Sequence, residues 1–168
     1  MARWPPPVYR IRTELDAPME FVFRWCTDYA TNDGKLSGEP FERRIIARTP
    51  ERVILEDLWW TPDGWKWRRS DVRLSPPDRW HSDSVSNIRD ASIDYQLTSL
   101  PEGRTRLLIV MHRRPGSIQP IQPPRAVLEA EIGRLWDRIG ASLAREYRGS
   151  GPRRKSPRSV SRPARSRI

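Results

Sequence analysis

The 168-residue sequence lacks the features that mark secreted and membrane-spanning proteins. Its single cysteine, Cys26, excludes an intrachain disulfide and any CxxC metal or redox site, which favours a reducing compartment. Residues 1–10 contain no apolar run of the kind found in signal peptides, and no stretch approaches the roughly 18 apolar residues that span a bilayer. These absences predict a soluble, cytoplasmic protein.

The local signatures of several enzyme classes are also missing. The sequence contains no GxSxG, HExxH, Walker A or GxGxxG motif. It therefore lacks the local signatures of nucleophile-elbow hydrolases, zinc peptidases and nucleotide-binding folds. Its two histidines, His81 and His112, fall on different predicted strands, and we therefore expect no metal and no cofactor. Either histidine could act as an acid or base if it faced a cavity, because imidazole titrates near neutral pH.

Lysine is scarce, and the formal net charge of +10 is unevenly distributed. Residues 149–168 hold seven Arg and Lys and no acid, so the other 148 residues carry 24 positive and 21 negative side chains. This segment is rich in Ser, Pro and Arg and has no hydrophobic periodicity, which predicts a disordered tail. Such a tail could make weak, salt-dependent and nonspecific contacts with nucleic acid or an anionic surface.

Hydrophobic periodicity predicts one strand and two helices near the chain ends. Residues 8–16 alternate as a half-buried strand, and a helix is expected from about Ala17 to Tyr29, with Asp16 as its N-cap. Residues 31–40 then form either a short second helix or a loop. A long helix from about Arg125 to Tyr147 carries one apolar stripe, made by Leu128, Ile132, Leu135, Trp136, Ile139 and Leu143.

Between these helices the chain is divided by five turn signals, at positions 49, 61, 75, 86 and 100. Gly64 and Gly103 can take the positive φ angle that such turns need. Breaks every 10 to 15 residues predict an antiparallel meander of six strands. In one of them Ala91, Ile93, Tyr95 and Leu97 share a face.

The segment "TELDAPMEFVFRWCTDY" resembles the first strand and helix of the START-like superfamily, also called SRPBCC. The matching features are Leu15, Ala17-Pro18, Glu20, Val22 with an aromatic residue after it, and Thr27-Asp28. "GRTRLLIVMH" resembles the last strand of that family. The resemblance covers residues 8–148, which follow a seven-residue N-terminal extension.

The resemblance implies an α+β helix-grip fold, in which a curved seven-stranded antiparallel sheet wraps around the long C-terminal helix. Such a fold leaves a cavity for an apolar or aromatic small molecule. Two family features are absent here. Residues 34–38 lack a tryptophan found in many relatives, and residues 49–52 replace the glycine-rich loop of the plant allergens.

Four of the eight tryptophans cluster between positions 59 and 67, around a Pro-Asp-Gly turn. Two strand registers are open. With a bulge at Gly64, Trp59 pairs with Trp67 and Asp57 with Arg69. Without the bulge Trp60 faces Trp65, Leu58 faces Trp67, and the acids at 56 and 57 oppose Arg69 and Arg68. In either register Trp59 and Trp60 point to opposite faces, so the four rings cannot share one cavity.

The resemblance and the patterning together predict binding of a hydrophobic or aromatic small molecule, such as a lipid or polyketide. The expected ligand-binding residues are Trp25, Tyr29, Trp59, Trp67, Arg69, Ile93, Tyr95, Ile109, Met111, Trp136 and Ile139. The alternative is a metal-free, polyketide cyclase-like or dehydratase-like enzyme that uses Arg69, Tyr95 and His112. A further alternative is an interaction module that acts through the basic tail.

Overall fold

The computed structural model describes residues 8–30, 41–115, 121 and 123–150. Seven strands form one antiparallel sheet: β1 (Val8–Leu15), β2 (Glu42–Arg48), β3 (Arg52–Thr61), β4 (Gly64–Ser75), β5 (Arg79–Ser86), β6 (Arg89–Leu100) and β7 (Arg104–Pro115). Helix α1 (Met19–Thr27) follows β1, and the long helix α2 (Arg125–Ser150) follows β7. The predicted α+β class and the predicted order of elements are confirmed.

The strand order in the sheet is β1-β7-β6-β5-β4-β3-β2, so β2 to β7 form a continuous meander and β1 closes against β7. Both helices cover the same side of the curved sheet, which we call the inner face. Alternation along the strands places apolar residues there, because successive side chains point to opposite faces. The buried core combines residues of the sheet and the helices: Tyr9, Leu15, Val22, Val72, Trp80, Leu107, Ile109, Leu128 and Leu143.

Each of the five predicted turn segments begins at the last residue of a strand or directly after it. Gly64 has a φ angle of 111° and Gly103 one of 70°, a region that side chains with a Cβ disfavour. The turn after β3 contains only Pro62 and Asp63, since Thr61 pairs directly with Gly64. Turn chemistry therefore determines where each strand of the meander begins and ends.

Helix α1 is shorter than the sequence predicts. Its N-cap is Pro18 rather than Asp16, because the extended backbone of Pro18 (φ −62°, ψ 149°) delays the first helical residue to Met19. Beyond Thr27, Tyr29 takes a left-handed φ of 48°. The second helix or loop expected at residues 31–40 lies outside the described residues, as do residues 1–7 and 151–168.

Helix α2 runs to Ser150, three residues further than predicted, so the first two residues of the expected tail are helical. It approaches β1 closely at Gly140, where an added Cβ would lie 2.9 Å from Leu15 Cδ2. A larger residue at this position would displace the buried Leu15 side chain. In the described part of the chain, neither helix is both long and apolar enough to cross a bilayer.

Candidate functional site

A cavity of about 570 Å³ lies between the inner face of the sheet and α2. Its volume falls within the range of roughly 300 to 1,000 Å³ that is typical of small-molecule sites. Strands β6 and β7 provide one wall through Ala91, Ile93, Tyr95 and Met111. Helix α2 provides the opposite wall through Leu128, Ile132, Leu135, Trp136 and Ile139.

One end of the cavity is aromatic. The Tyr95 ring stacks on Trp80 at a centroid distance of 4.6 Å and an interplanar angle of 8°. On its other side Tyr95 lies 6.1 Å from the Trp136 ring of α2. The strand pairing of β6 and the contacts with these two rings hold Tyr95 in place, so its hydroxyl occupies a defined position.

Burial raises the pKa of Tyr95 to about 12, so its hydroxyl stays protonated at neutral pH. Among the described residues we find no hydrogen bond to this hydroxyl, although a buried tyrosine hydroxyl normally has a partner. It can therefore donate to a bound molecule. It is a poor general base, since deprotonation requires strongly alkaline conditions.

The other end of the cavity is cationic, and one buried carboxylate organises it. Asp57 accepts hydrogen bonds from Arg43 Nε at 2.7 Å and from Arg68 Nη2 at 2.6 Å. The Asp57 side chain is fully buried, and that of Arg43 is 6% exposed. The three residues stand opposite one another on β2, β3 and β4, because Arg43 pairs with Asp57 and Asp57 with Arg68.

An aromatic ring lies against the guanidinium group of each of the two arginines. The guanidinium carbon of Arg43 lies 4.8 Å from the Phe41 ring centroid, and that of Arg68 lies 5.8 Å from the Trp59 ring. Guanidinium groups are attracted to the faces of such rings. Trp59 therefore lines the cavity and also helps to orient Arg68.

Three further arginines line the same region, on β6, β7 and α2: Arg89, Arg113 and Arg138. Arg113 is 3% exposed. Its burial, together with the charge of Arg89, lowers the pKa of Arg113 to about 10. Glu131 of α2 partly offsets this effect. Arg113 remains charged at neutral pH.

On the opposite, outer face, the tryptophan hairpin forms an exposed patch. Trp60, Trp65 and Trp67 are 62%, 57% and 44% exposed. Trp60 and Trp65 face each other across the strands with ring centroids 5.3 Å apart. The register without a bulge is therefore the one that forms, and Arg69 reaches Glu56 at 3.9 Å on this outer face.

The outer face also carries a polar network around His81. Its Nδ1 lies 2.6 Å from Asp94 Oδ1, and its Nε2 lies 2.9 Å from Asp83 Oδ1. The Ser92 hydroxyl donates to Asp83 Oδ1 at 2.8 Å and also lies 3.4 Å from His81 Nε2, so it belongs to the same network. No group of three His, Cys, Asp or Glu in the described ranges is placed to hold a metal ion.

Comparison with known proteins identifies the fold. No family model and no curated protein matches the sequence. Solved structures do match. A protein from Thermus thermophilus is 14% identical with a TM-score of 0.63, covering 87% of this chain and 100% of its own. An aromatase/cyclase from Streptomyces sp. R1128 is 13% identical with a TM-score of 0.61, covering 84% and 93%.

A START superfamily protein from Mycobacterium smegmatis is 12% identical with a TM-score of 0.60, covering 84% of this chain and 97% of its own. The chain has the START-like helix-grip fold. At these identities the likeness concerns the fold alone, so it assigns no residue of this chain a role in the cavity.

The structure places the expected ligand-binding residues in three groups. Six of them line the cavity of the START-like fold: Trp59, Ile93, Tyr95, Met111, Trp136 and Ile139. Ile109 is a fully buried core residue, and Trp25 and Tyr29 are partly buried residues that pack against the core without lining the cavity. Trp67 and Arg69 lie on the outer face, because the unbulged register turns Leu58, Trp67 and Arg69 outward together. The expectation that Trp67 faces the cavity with Trp59 is wrong.

The three residues considered for catalysis do not meet in one site. Tyr95 lies on the inner face, whereas His112 and Arg69 line a separate groove of about 650 Å³ on the outer face. Most of the residues that line this outer groove are polar or charged. Its charged residues include Arg52 and Asp71, which form an ion pair of 2.6 Å.

Sequence reasoning missed the arginines of the cavity. Arg43 and Arg113 stand among neighbouring arginines in "ERRII" and "MHRRP", and only the strand register decides which member of each pair faces inward. The alternation of side chains along a strand could have identified one of them, Arg113. Tyr95 and Met111 were assigned to the inner face, and Arg113 lies two residues beyond Met111 on β7, so its side chain points to that face as well.

Replacing the shared carboxylate should strongly destabilise the protein. In Asp57→Asn, Arg43 loses its buried counter-ion, and we expect the free energy of unfolding to fall by about 3 to 5 kcal/mol. Urea denaturation checks this. The matched control is Asp71→Asn, whose ion pair with Arg52 is exposed to solvent, and its loss should stay within about 1 kcal/mol. Equal losses in both variants would contradict the role given to Asp57.

The His81 network should make stability pH-dependent. Burial disfavours the charged ring, but the hydrogen bonds to Asp94 and Asp83 outweigh it and raise the pKa of His81 above its usual value of 6.5. A raised folded-state pKa stabilises the fold below pH about 6.5, and this contribution disappears as pH rises through the raised value. The stability difference between wild type and His81→Asn should therefore shrink from pH about 5.5 to pH about 8.5. A difference that grows over this interval would refute the assignment.

Proposed function

We propose that this protein binds a hydrophobic or aromatic small molecule in the cavity between the inner face and α2. The observation that carries the proposal is the lining of that cavity, where Trp59, Tyr95, Met111 and Trp136 converge from the sheet and from α2. Transfer of apolar surface from water into such a lining contributes about 25 cal/mol per Å². A ligand of one or two rings would supply enough apolar area for binding.

Polar groups in the cavity support orientation of the ligand rather than its transformation. The Tyr95 hydroxyl is protonated and can donate a hydrogen bond. Asp57 already accepts hydrogen bonds from two arginines. The two histidines lie on the outer face, so neither is available as a proton carrier in the cavity. This arrangement favours binding, sequestration or transport over the cyclase-like alternative, whose candidate residues Arg69, Tyr95 and His112 lie on two different faces of the sheet.

Filling the cavity from the sheet should weaken binding. Ala91 lines the cavity on β6, and in Ala91→Phe the new ring would occupy the ligand's volume. We expect 2-naphthalenemethanol to bind the wild-type protein with 1:1 stoichiometry in native mass spectrometry. In Ala91→Phe the affinity should fall at least about tenfold, which corresponds to roughly 1.4 kcal/mol.

The matched control is Val110→Phe, which places the same ring on the outer face of the neighbouring strand β7. Its affinity should equal that of the wild type. The same spectra, followed by organic extraction of the purified protein, report any compound that copurifies. Absence of both a copurifying compound and probe binding would contradict the proposal, and so would equal affinities in the wild type and Ala91→Phe.

A further inference from the structure

The cavity changes character along its length, and the strand register shows how. Inner-face residues opposite one another form rows across the sheet. One row contains Trp80, Tyr95 and Ile109, and the next contains Ser82, Ile93 and Met111. Moving towards the other end, the rows become polar and then cationic: Ser70, Ser84, Ala91 and Arg113, followed by Arg43, Asp57, Arg68 and Ser86.

The lining of the cavity is rich in cations. It includes five arginines, namely Arg43, Arg68, Arg89, Arg113 and Arg138, and one acid, Glu131. Two further described acids lie near these arginines: Asp57, which is shared by Arg43 and Arg68, and Asp28, whose charge acts on Arg43. Burying like charges together is unfavourable, and Arg113 bears this cost most directly because burial and Arg89 both disfavour its charged form.

Arg68 shows that the internal ion pairs leave donor capacity unused. Its Nη2 donates to Asp57, and its Nε is a buried atom that has no hydrogen-bond partner within the described part of the chain. The Arg68 side chain nevertheless remains 40% exposed at the cavity. A guanidinium presents its donors as a planar fork that matches the oxygens of a carboxylate or phosphate.

We infer that the ligand is amphiphilic, with an apolar or aromatic body between Tyr95 and Trp136 and an anionic oxygen head group among Arg68, Arg89 and Arg113. This inference rests on the proposed function, since it specifies the ligand of the same cavity. The head group is a carboxylate or a phosphate monoester, because both offer several acceptor oxygens to arginine. The excess positive charge selects against a neutral ligand of the same shape.

Three probes of similar shape test this by isothermal titration calorimetry near pH about 7.5: 2-naphthoate, 2-naphthyl phosphate and the neutral 2-naphthalenemethanol. A charge-assisted hydrogen bond contributes about 1.5 to 3 kcal/mol, so at least one anion should bind about tenfold or more tightly than the alcohol. The anion that binds more tightly identifies the head group. Its affinity should fall as salt is raised, while that of the alcohol should not.

Three arginine-to-methionine variants locate the effect. Arg68→Met and Arg113→Met should each weaken anion binding about tenfold and leave alcohol binding unchanged. The control is Arg69→Met, one residue from Arg68 but on the outer face, which should alter neither. If Arg113→Met fails to fold, Arg68→Met still tests the head-group site, and unchanged anion affinity in Arg68→Met would overturn the inference.

The outcomes separate the two proposals. Failure of all three probes to bind would contradict the proposed function and this inference with it. Binding of the alcohol as tightly as both anions would overturn only the inference. Equal loss of anion affinity in all three variants would overturn it as well, because the effect would then come from the net charge of the protein.

Discussion

The two-residue alternation of paired strands is the constraint on which this molecule depends. Once β3 pairs with β4 without a bulge, Asp57, Trp59 and Arg68 share the inner face, and Trp60, Trp67 and Arg69 share the outer face. A slip of one residue would exchange these sets. It would bury tryptophans where α2 must pack and would expose Asp57, so the core and the cavity depend on the same register.

Asp57 connects this register to the chemistry of the cavity. An arginine on the inner face is tolerated only with a counter-charge, and one carboxylate on the central strand of three serves an arginine on each side. A buried set of paired charges contributes less net stability than apolar residues of similar size. Its presence therefore points to a requirement for cations beside the aromatic end, as expected for a cavity that recognises a polar group on an apolar molecule.

Much of the fold could be predicted from the sequence, because the relevant signals are local. Proline and glycine placed the turns, alternation assigned Tyr95 to the inner face, and the helical stripe identified Trp136 as a contact of the sheet. The helix start was less accurate, since Asp16 and Pro18 both suit the first turn and only the backbone of Pro18 decides between them.

The site was less predictable than the fold because it depends on pairings between distant strands. Both registers of the tryptophan hairpin were consistent with the residues. One register places Trp67 and Arg69 together on the inner face, and the other places both of them on the outer face. Arg43, Arg89 and Arg113 meet only when β2, β6 and β7 are brought around one cavity. Their individual surroundings in the sequence are ordinary charged segments, which on their own indicate solvent-exposed faces.

The tryptophans provide the most direct test of the central claim, because they lie on both faces of the sheet. In a ¹H–¹⁵N spectrum of the indole groups, addition of 2-naphthalenemethanol should shift the signals of Trp59 and Trp136, which line the cavity. The signals of Trp60, Trp65 and Trp67 on the outer face should stay in place. Shifts confined to those three outer tryptophans would contradict a binding site between the sheet and α2.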